Sequence, residues 1–451
     1  MVLVVISVMG GWLTMFKAKF RGMSGDIVVY RNSVTGFGGY KQMLAEIKKL
    51  PEVDAAIPLI ETFGLLNLSQ RGSEAVSVTG VDLEQYSGFN DFRKSLLRQY
   101  QVPMQNGEKP PEVANYKLLP DFPYSAYAPH DKRAEQRPGM IVSASLLGVR
   151  SRENGKIEVP EGVYAMWGRL EVVPMDGERL LLTNAEPAAN VYWIVDLFRT
   201  KVSFFDDRAV YVPFDTLQED LKMNERPYTE IVDGKEIDRV RPARCTKIEI
   251  NLKPGVDRMA LIRRINAIVQ PISNEADGSA IALSPVQVVP WEKPQERFLG
   301  AVENEKSLLT VLMGMISLVA IFLIFCILYM IVVEKTRDIG IIKSIGATSQ
   351  GIAAVFLGYG LAIGVVGGLA GLGAGWLFMR YINGIHGFVA WLIGKPIWDP
   401  EVYAFDKIPD QIEPITAAVV VAVAILSAVI GAVVPAIRAG RQNPIEALRY
   451  E

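Results

Sequence analysis

The sequence predicts an α-helical membrane protein with four transmembrane helices, the first truncated, and a large α+β extracytoplasmic domain inserted between helices 1 and 2. Two observations carry this. Half of the 451 residues are apolar and the mean hydropathy is +0.21, an excess that soluble chains of this size rarely show. That excess is concentrated in long runs at 308–333, 351–377 and 415–437, each meeting the requirement of about 20 residues for crossing a hydrocarbon core roughly 30 Å thick.

The chain starts with MVLVVISVMGGWLTMF, residues 1–16, apolar but a few residues short of a full crossing. A secretory signal would place basic residues ahead of its apolar stretch and a small-residue cleavage site after it. Here the basic residues Lys17, Lys19 and Arg21 follow instead, so 1–16 is read as part of a first membrane helix that begins upstream.

Residues 17–300 have the composition of a folded aqueous domain. GDIVVY (25–30) and KIEINL (247–252) are β-branched, alternating runs that predict strands. Each leads to an amphipathic helix, YKQMLAEIKKL with Met43, Leu44, Ile47 and Leu50 on one face, and DRMALIRRINAIV with Met259, Ile262, Ile265 and Val269. Each then continues into an apolar strand, DAAIPLI or VQVVPW. An α+β layer closed by the two ends of the domain brings the flanking membrane helices together. Residues 102–139 hold seven prolines, a composition that favours an extended surface loop over a peptide-binding element.

Residues 301–451 form the second membrane portion. From Pro294 to Glu334 there is no interior proline, and a continuous helix would reach about 60 Å, twice the hydrocarbon thickness. Its first third carries Glu296, Arg297, Glu303, Glu305 and Lys306, so that part is a stalk outside lipid. Basic residues set the orientation: Lys335, Arg337 and Lys343 crowd the short loop after the second span, and Arg438, Arg441 and Arg449 the tail, whereas 378–414 has only Arg380, Lys395 and Lys407 among acidic residues. The loop and the C-terminus are thus expected in the cytoplasm and the large domain in the periplasm, with the protein in a bacterial inner membrane.

Several function classes are excluded. Net charge is −2 with dispersed basic residues, so no nucleic-acid partner is expected. Two cysteines, Cys245 and Cys326, and two histidines leave no disulfide framework, metal site or histidine-based triad. No GxxxxGK[ST] loop or nucleophile elbow occurs. The chain is therefore expected to bind no cofactor, and any ATP-driven work requires a partner.

The run EKTRDIGIIKSIGATSQ, 334–350, read as a helix, groups Ile339, Ile342 and Ile345 on one side, with Lys335, Arg337 and Asp338 around them and Gly346 as a stop. Composition alone reads it as a solvated, positive-inside loop. In the third span, Gly364, Gly367, Gly368, Gly371 and Gly375, together with Gly360, recur at four-residue spacing. Such spacing lets helices approach closely.

The stretch AVENEKSLLTVLMGMISLVAIFLIFCILYMIVVEKTRDIGIIKSIGAT resembles the second membrane helix and cytoplasmic turn of lipoprotein-releasing permeases of the LolC/LolE type, within the superfamily that includes MacB exporters and FtsX. PAIRAGRQNPIEALRYE (435–451), VDLFRTKVSFFDDRAVYVPFDTLQ (195–218), VYAFDKIP (402–409) and VVISVMGGW are similar to further motifs of that family. The resemblance implies an ABC transporter permease that pairs with a second permease chain, alike or sister, and docks two copies of an ATPase subunit carrying ATP and Mg. It implies that Glu334, Lys335, Thr336, Arg337, Asp338, Ile339, Ile342, Lys343, Ile345, Gly346 and Ala347 form the ATPase-coupling segment. It implies a lipoprotein or other acylated cargo drawn from membrane lipid, for which Val4, Val5, Met9, Leu308 and Met315 are the candidate lipid-facing residues at the dimer seam. The alternative it leaves is an FtsX-like or MacB-like mechanotransmission permease acting on a periplasmic partner.

Overall fold

The computed structural model describes residues 2–68, 72–118, 134–149, 159, 163, 166–174, 187–200, 206–232, 235–277, 284–394, 408 and 412–445. The chain forms two compact units, one built around residues 17–295 and the other from 1–16 together with the residues from 296 onward.

The first helix, α1 (Val2–Met23), passes through Lys17, Lys19 and Arg21 and ends seven residues beyond the expected limit. Its 22 residues span about 33 Å, long and apolar enough to cross a membrane.

The strand-rich unit opens with β1 (Ile27–Tyr30), β2 (Phe37–Gly38), α2 (Tyr40–Ile47), β3 (Val53–Leu68) and β4 (Gly72–Val81). Three short helices follow, α3 (Leu83–Phe89), α4 (Phe92–Ser95) and α5 (Val102–Gln105), the last two joined by a π-turn at Leu97–Gln101. Then come β5 (Gly139–Ser143), β6 (Trp167–Val172), β7 (Ala188–Phe198), β8 (Ala209–Pro213), α6 (Phe214–Asp220), β9 (Arg226–Val232), β10 (Lys235–Arg241) and β11 (Arg244–Cys245). The unit closes with β12 (Lys247–Leu252), α7 (Arg258–Asp277) and β13 (Gln287–Pro290). Of the proline-rich stretch, 119–133 lies outside the described residues, and 106–118 has no helix or strand.

The two expected strand-helix-strand copies interleave. β1 pairs antiparallel with both β12 and β13, and β12 pairs with β3, giving the order β13-β1-β12-β3. That is the split βαβ arrangement. Met43 and Ile47 of α2 and Leu261, Ile265 and Val269 of α7 are buried in the core beneath it. Met259, expected on the buried face, is exposed: it sits in the first turn of α7, and Leu261 and Ile272 carry the face instead.

β3 serves a second structure. Its first half, to Leu59, pairs with β12, while Ile60–Leu68 pairs with β4 and Gly64–Leu68 with β6. The links β4–β8, β8–β5, β5–β7 and β7–β6 complete a closed ring of six strands. Closure removes strand edges, and β3 is the shared wall. At Gly64 a side chain would put its Cβ 2.8 Å from the carbonyl of Glu171 on β6, so the absence of one permits the closing contact.

The membrane unit adds α8 (Glu296–Glu334), α9 (Thr336–Ser344), α10 (Ser349–Ile393) and α11 (Pro414–Arg441). α8 is a single helix of 39 residues, about 58 Å long, as its proline-free sequence predicts. With α1, α10 and α11 it makes, among the described residues, four helices long and apolar enough to cross a membrane. α10 runs 16 residues past the expected end at 377. Loss of apolar character marks the edge of lipid, not the end of a helix; α10 stops where Gly394 adopts φ 77°, a left-handed cap that glycine supplies without strain.

Candidate functional site

The segment 334–347 joins the ends of α8 and α10. Glu334 is the last residue of α8, Lys335 precedes α9, and Lys335 forms an exposed ion pair with Asp338 at 3.3 Å. Gly346 takes φ 108° and ends the element, as expected from its position. Thr348 caps α10, its Oγ1 accepting from Gly351 N at 3.1 Å. The segment is thus a short, defined helix, as its helical reading has it, and not the loop that composition alone suggests.

The three isoleucines do not share one face. Ile339 is 5% exposed and packs with Val332, Ile352, Phe356, Ala436 and Ala439. Ile342 and Ile345 are 52% and 80% exposed, and Ile341 joins them on the outside. The spacing 339–342–345 suggested a stripe, but a step of three residues drifts around a helix with 3.6 residues per turn. Two apolar surfaces result, one buried and one presented. Arg337 and Asp338 are exposed beside the latter, and Ala347 lies against the buried cluster.

Lys343, expected to be a solvated flank, is half-buried. Its ammonium donates to the carbonyls of Gly440 at 2.7 Å and Gln442 at 2.8 Å, at the C-terminal end of α11. Gln442 in turn donates through Nε2 to Thr336 Oγ1 at 3.1 Å, and Thr336 Oγ1 donates to Val332 O of α8 at 3.1 Å. Neither contact has a sequence signal, because each joins groups about a hundred residues apart.

The glycines of α10 divide. A Cβ at Gly360 would lie 2.4 Å from Ala432 Cβ, and one at Gly364 would lie 3.0 Å from Ala428 Cβ and from Ile425 Cα of α11. Gly368 meets Val421 in ordinary contact, and Gly375 faces Leu3 of α1. Gly367 and Gly371, also expected at a packing face, have nothing within 4 Å. Both registers of four were available in the sequence, and the one ending in Gly368 is where α11 approaches.

Gly367 instead opens an apolar groove of about 480 Å³ among α1, α8, α10 and α11, lined by Val2, Ile6, Met313, Ser317, Ile363 and Val423 among others. None of Val4, Val5, Met9, Leu308 or Met315 lines it. Val4 is half-buried and packs toward Met379, Ile382 and Ile408, whereas Leu308 and Met315 are exposed. The signal for the groove lay one or two positions away, in the small residues Gly314 and Ser317 of α8 opposite Gly367.

The motif residues elsewhere have structural work. In 195–218, Asp196 is fully buried and accepts from the backbone N–H groups of Arg98, Gln99 and Leu197. Burial pushes its carboxyl up to about 6, against the pull of Arg98 and of those three donors. Gln218 of α6 donates to Arg244 O at 2.8 Å and Tyr40 at 3.3 Å, tying the ring to the βαβ layer. Of 402–409, only Ile408 is described; it is held by both polar atoms of the Asn383 side chain. Cys245 is buried and Cys326 exposed, neither in a disulfide, and among the described residues no cluster of three metal-ligating side chains occurs.

Residues 310–444 match the family model for the FtsX-like permease C-terminal domain. The chain is 30% identical over 166 residues to the lipoprotein-releasing system transmembrane protein LolC of Neisseria meningitidis, covering 37% of this chain and 40% of that protein. It is 28% identical over 143 residues to LolE of Haemophilus influenzae, covering 32% and 34%. It is 32% identical over 120 residues to the macrolide export ATP-binding/permease protein MacB of Rhodopirellula baltica, covering 27% and 15%. These matches span 40% or less of the relatives' lengths. The crystal structure of the periplasmic region of MacB from Actinobacillus actinomycetemcomitans matches with a TM-score of 0.31 and 9% identity, over 62% of this chain and 94% of that one.

Proposed function

We infer that this chain, which contains an FtsX-like permease domain at 310–444, is the permease subunit of an ABC transporter of the lipoprotein-releasing type. A separate ATPase subunit, two copies with ATP and Mg, drives it from the cytoplasmic side. It works as a dimer in a bacterial inner membrane, with residues 17–295 in the periplasm. The observation that carries this reading is α9: a short helix between two spanning helices, presenting Ile341, Ile342 and Ile345 to the outside although they lie beyond the apolar spans. Exposed clustered aliphatics at such a place mark a protein contact.

The cargo assignment follows the LolC and LolE relatives. Extracting a covalent acyl chain from a bilayer costs about 0.8 kcal/mol per CH₂, which calls for an energy source and an apolar receiving surface. The groove at Gly367 and the exposed α8 residues Leu308 and Met315 are surfaces of that kind. A second reading is an FtsX-like or MacB-like permease that acts on or exports a periplasmic partner; the relative named as a macrolide export ATP-binding/permease protein supports export within it.

Ile342→Asp tests the docking claim. A carboxylate buried without a partner in an interface costs several kcal/mol, and each step of about 1.4 kcal/mol is tenfold in affinity. The variant is expected to insert normally yet lose pull-down of the ATPase by about a hundredfold or more. Full ATPase retention by Ile342→Asp would make α9 a solvated turn and remove the proposed input.

A further inference from the structure

We propose that the C-terminal end of α11 is a second output of the coupling helix, and that Lys343 is the positioning residue that latches the two together. The inference rests on the permease reading and goes beyond it, because that reading gives α11 no part in coupling.

Four independent contacts converge on residues 436–442. Lys343 of α9 donates to two carbonyls, those of Gly440 and Gln442. The last carbonyls of a helix have no intrahelical donor and carry the negative end of its dipole, so a cation supplied from another element is well matched there. Gln442 returns to Thr336, the first residue of α9, which is itself bonded to Val332 of α8. Arg438 lies over the Tyr329 ring of α8, 4.6 Å from its centroid. Gly440 approaches Ser349, the first residue of α10, so closely that a Cβ there would sit 2.6 Å from the Ser349 carbonyl.

Beneath these polar ties, Ala436 and Ala439 of α11 pack with Val332, Ile339, Ile352 and Phe356, one or more residues from each of the other three helices. α9 is therefore fixed at its start, through Thr336, and near its end, through Lys343, to the same short piece of α11. A displacement of α9 moves that piece with it. The seam of Gly360, Gly364 and Gly368 against Ala432, Ala428 and Val421 then carries the displacement to α10, as close-packed helices shift together.

The test uses the full chain in nanodiscs, with Cys326→Ser and nitroxide labels at Arg337→Cys and Val434→Cys, both exposed positions. Three forms are compared: Lys343, Lys343→Arg and Lys343→Met. The inter-label distance distribution is expected to be single and narrow for Lys343 and Lys343→Arg, since both cations donate to carbonyls, and about twofold broader for Lys343→Met. With the ATPase that co-purifies from the native membrane, Lys343→Met is expected to lose about tenfold in cargo released per ATP hydrolysed, with Lys343→Arg restoring it. An unchanged distribution in Lys343→Met overturns the latch. A broadened distribution with unchanged cargo release per ATP overturns its transmitting role. Should the unmodified chain bind no ATPase at all, the broadened distribution still supports the latch and only the permease reading fails.

Discussion

At the scale of single residues, side chains that read as solvent-facing or motif-like in the sequence act by satisfying distant backbone groups. Asp196 is the clearest case outside the membrane unit. Its carboxyl is raised to about 6, above the usual value of 3.8, so folding favours its protonated form. The contribution is full below the unfolded value, declines as pH rises from about 4 to 6, and is constant above, a total of about 3 kcal/mol. Thermal midpoints of the β-rich unit, followed by circular dichroism, should show this fall in the native chain and a flatter profile between those pH values in Asp196→Ala. An identical slope in both would assign the pH dependence elsewhere. The sequence marked Asp196 as part of a recognisable motif, yet nothing in its neighbourhood indicates three amide donors, two of which come from residues about a hundred positions earlier. Lys343 is illegible for the same reason. Ile339 and Ile342 were visible as apolar positions, but which of them faces inward depends on where α11 lies.

Among elements, the legible features are those set by local chemistry. The 39-residue α8 follows from the lack of an interior proline, and the interleaved βαβ copies follow from alternation and helical periodicity. The closed ring was not legible, because five of its six strands come from residues whose partners are set by tertiary pairing, and β3 changes partners midway without a break in its sequence pattern. The glycine seam was half legible, as spacing names two registers and packing selects one. Gly360→Val should therefore lower the thermal midpoint of the membrane unit, at a cost of about 1–3 kcal/mol from overpacking against Ala432. Gly367→Ala, with open space around it, should be neutral or gain up to about 1 kcal/mol from helix propensity. Equal losses in both variants, measured by melting in detergent, would contradict the assigned seam.

For the whole molecule, a permease reading requires that the exposed face of α9 meet an ATPase and that the spanning helices and the strand-rich unit serve an acylated cargo. Three of the four candidate spans were readable from hydropathy and the first only in part, while the groove at Gly367 was not, since it arises where four helices leave space between them. The most direct measurement is purification of the full chain from its native membrane in mild detergent, followed by mass spectrometry of every co-purifying protein and lipid. The account predicts an ABC ATPase in stoichiometric amount, lost in Ile342→Asp, together with an acylated protein. Recovery of the chain without any ATPase, or with an ATPase that Ile342→Asp retains in full, would contradict it.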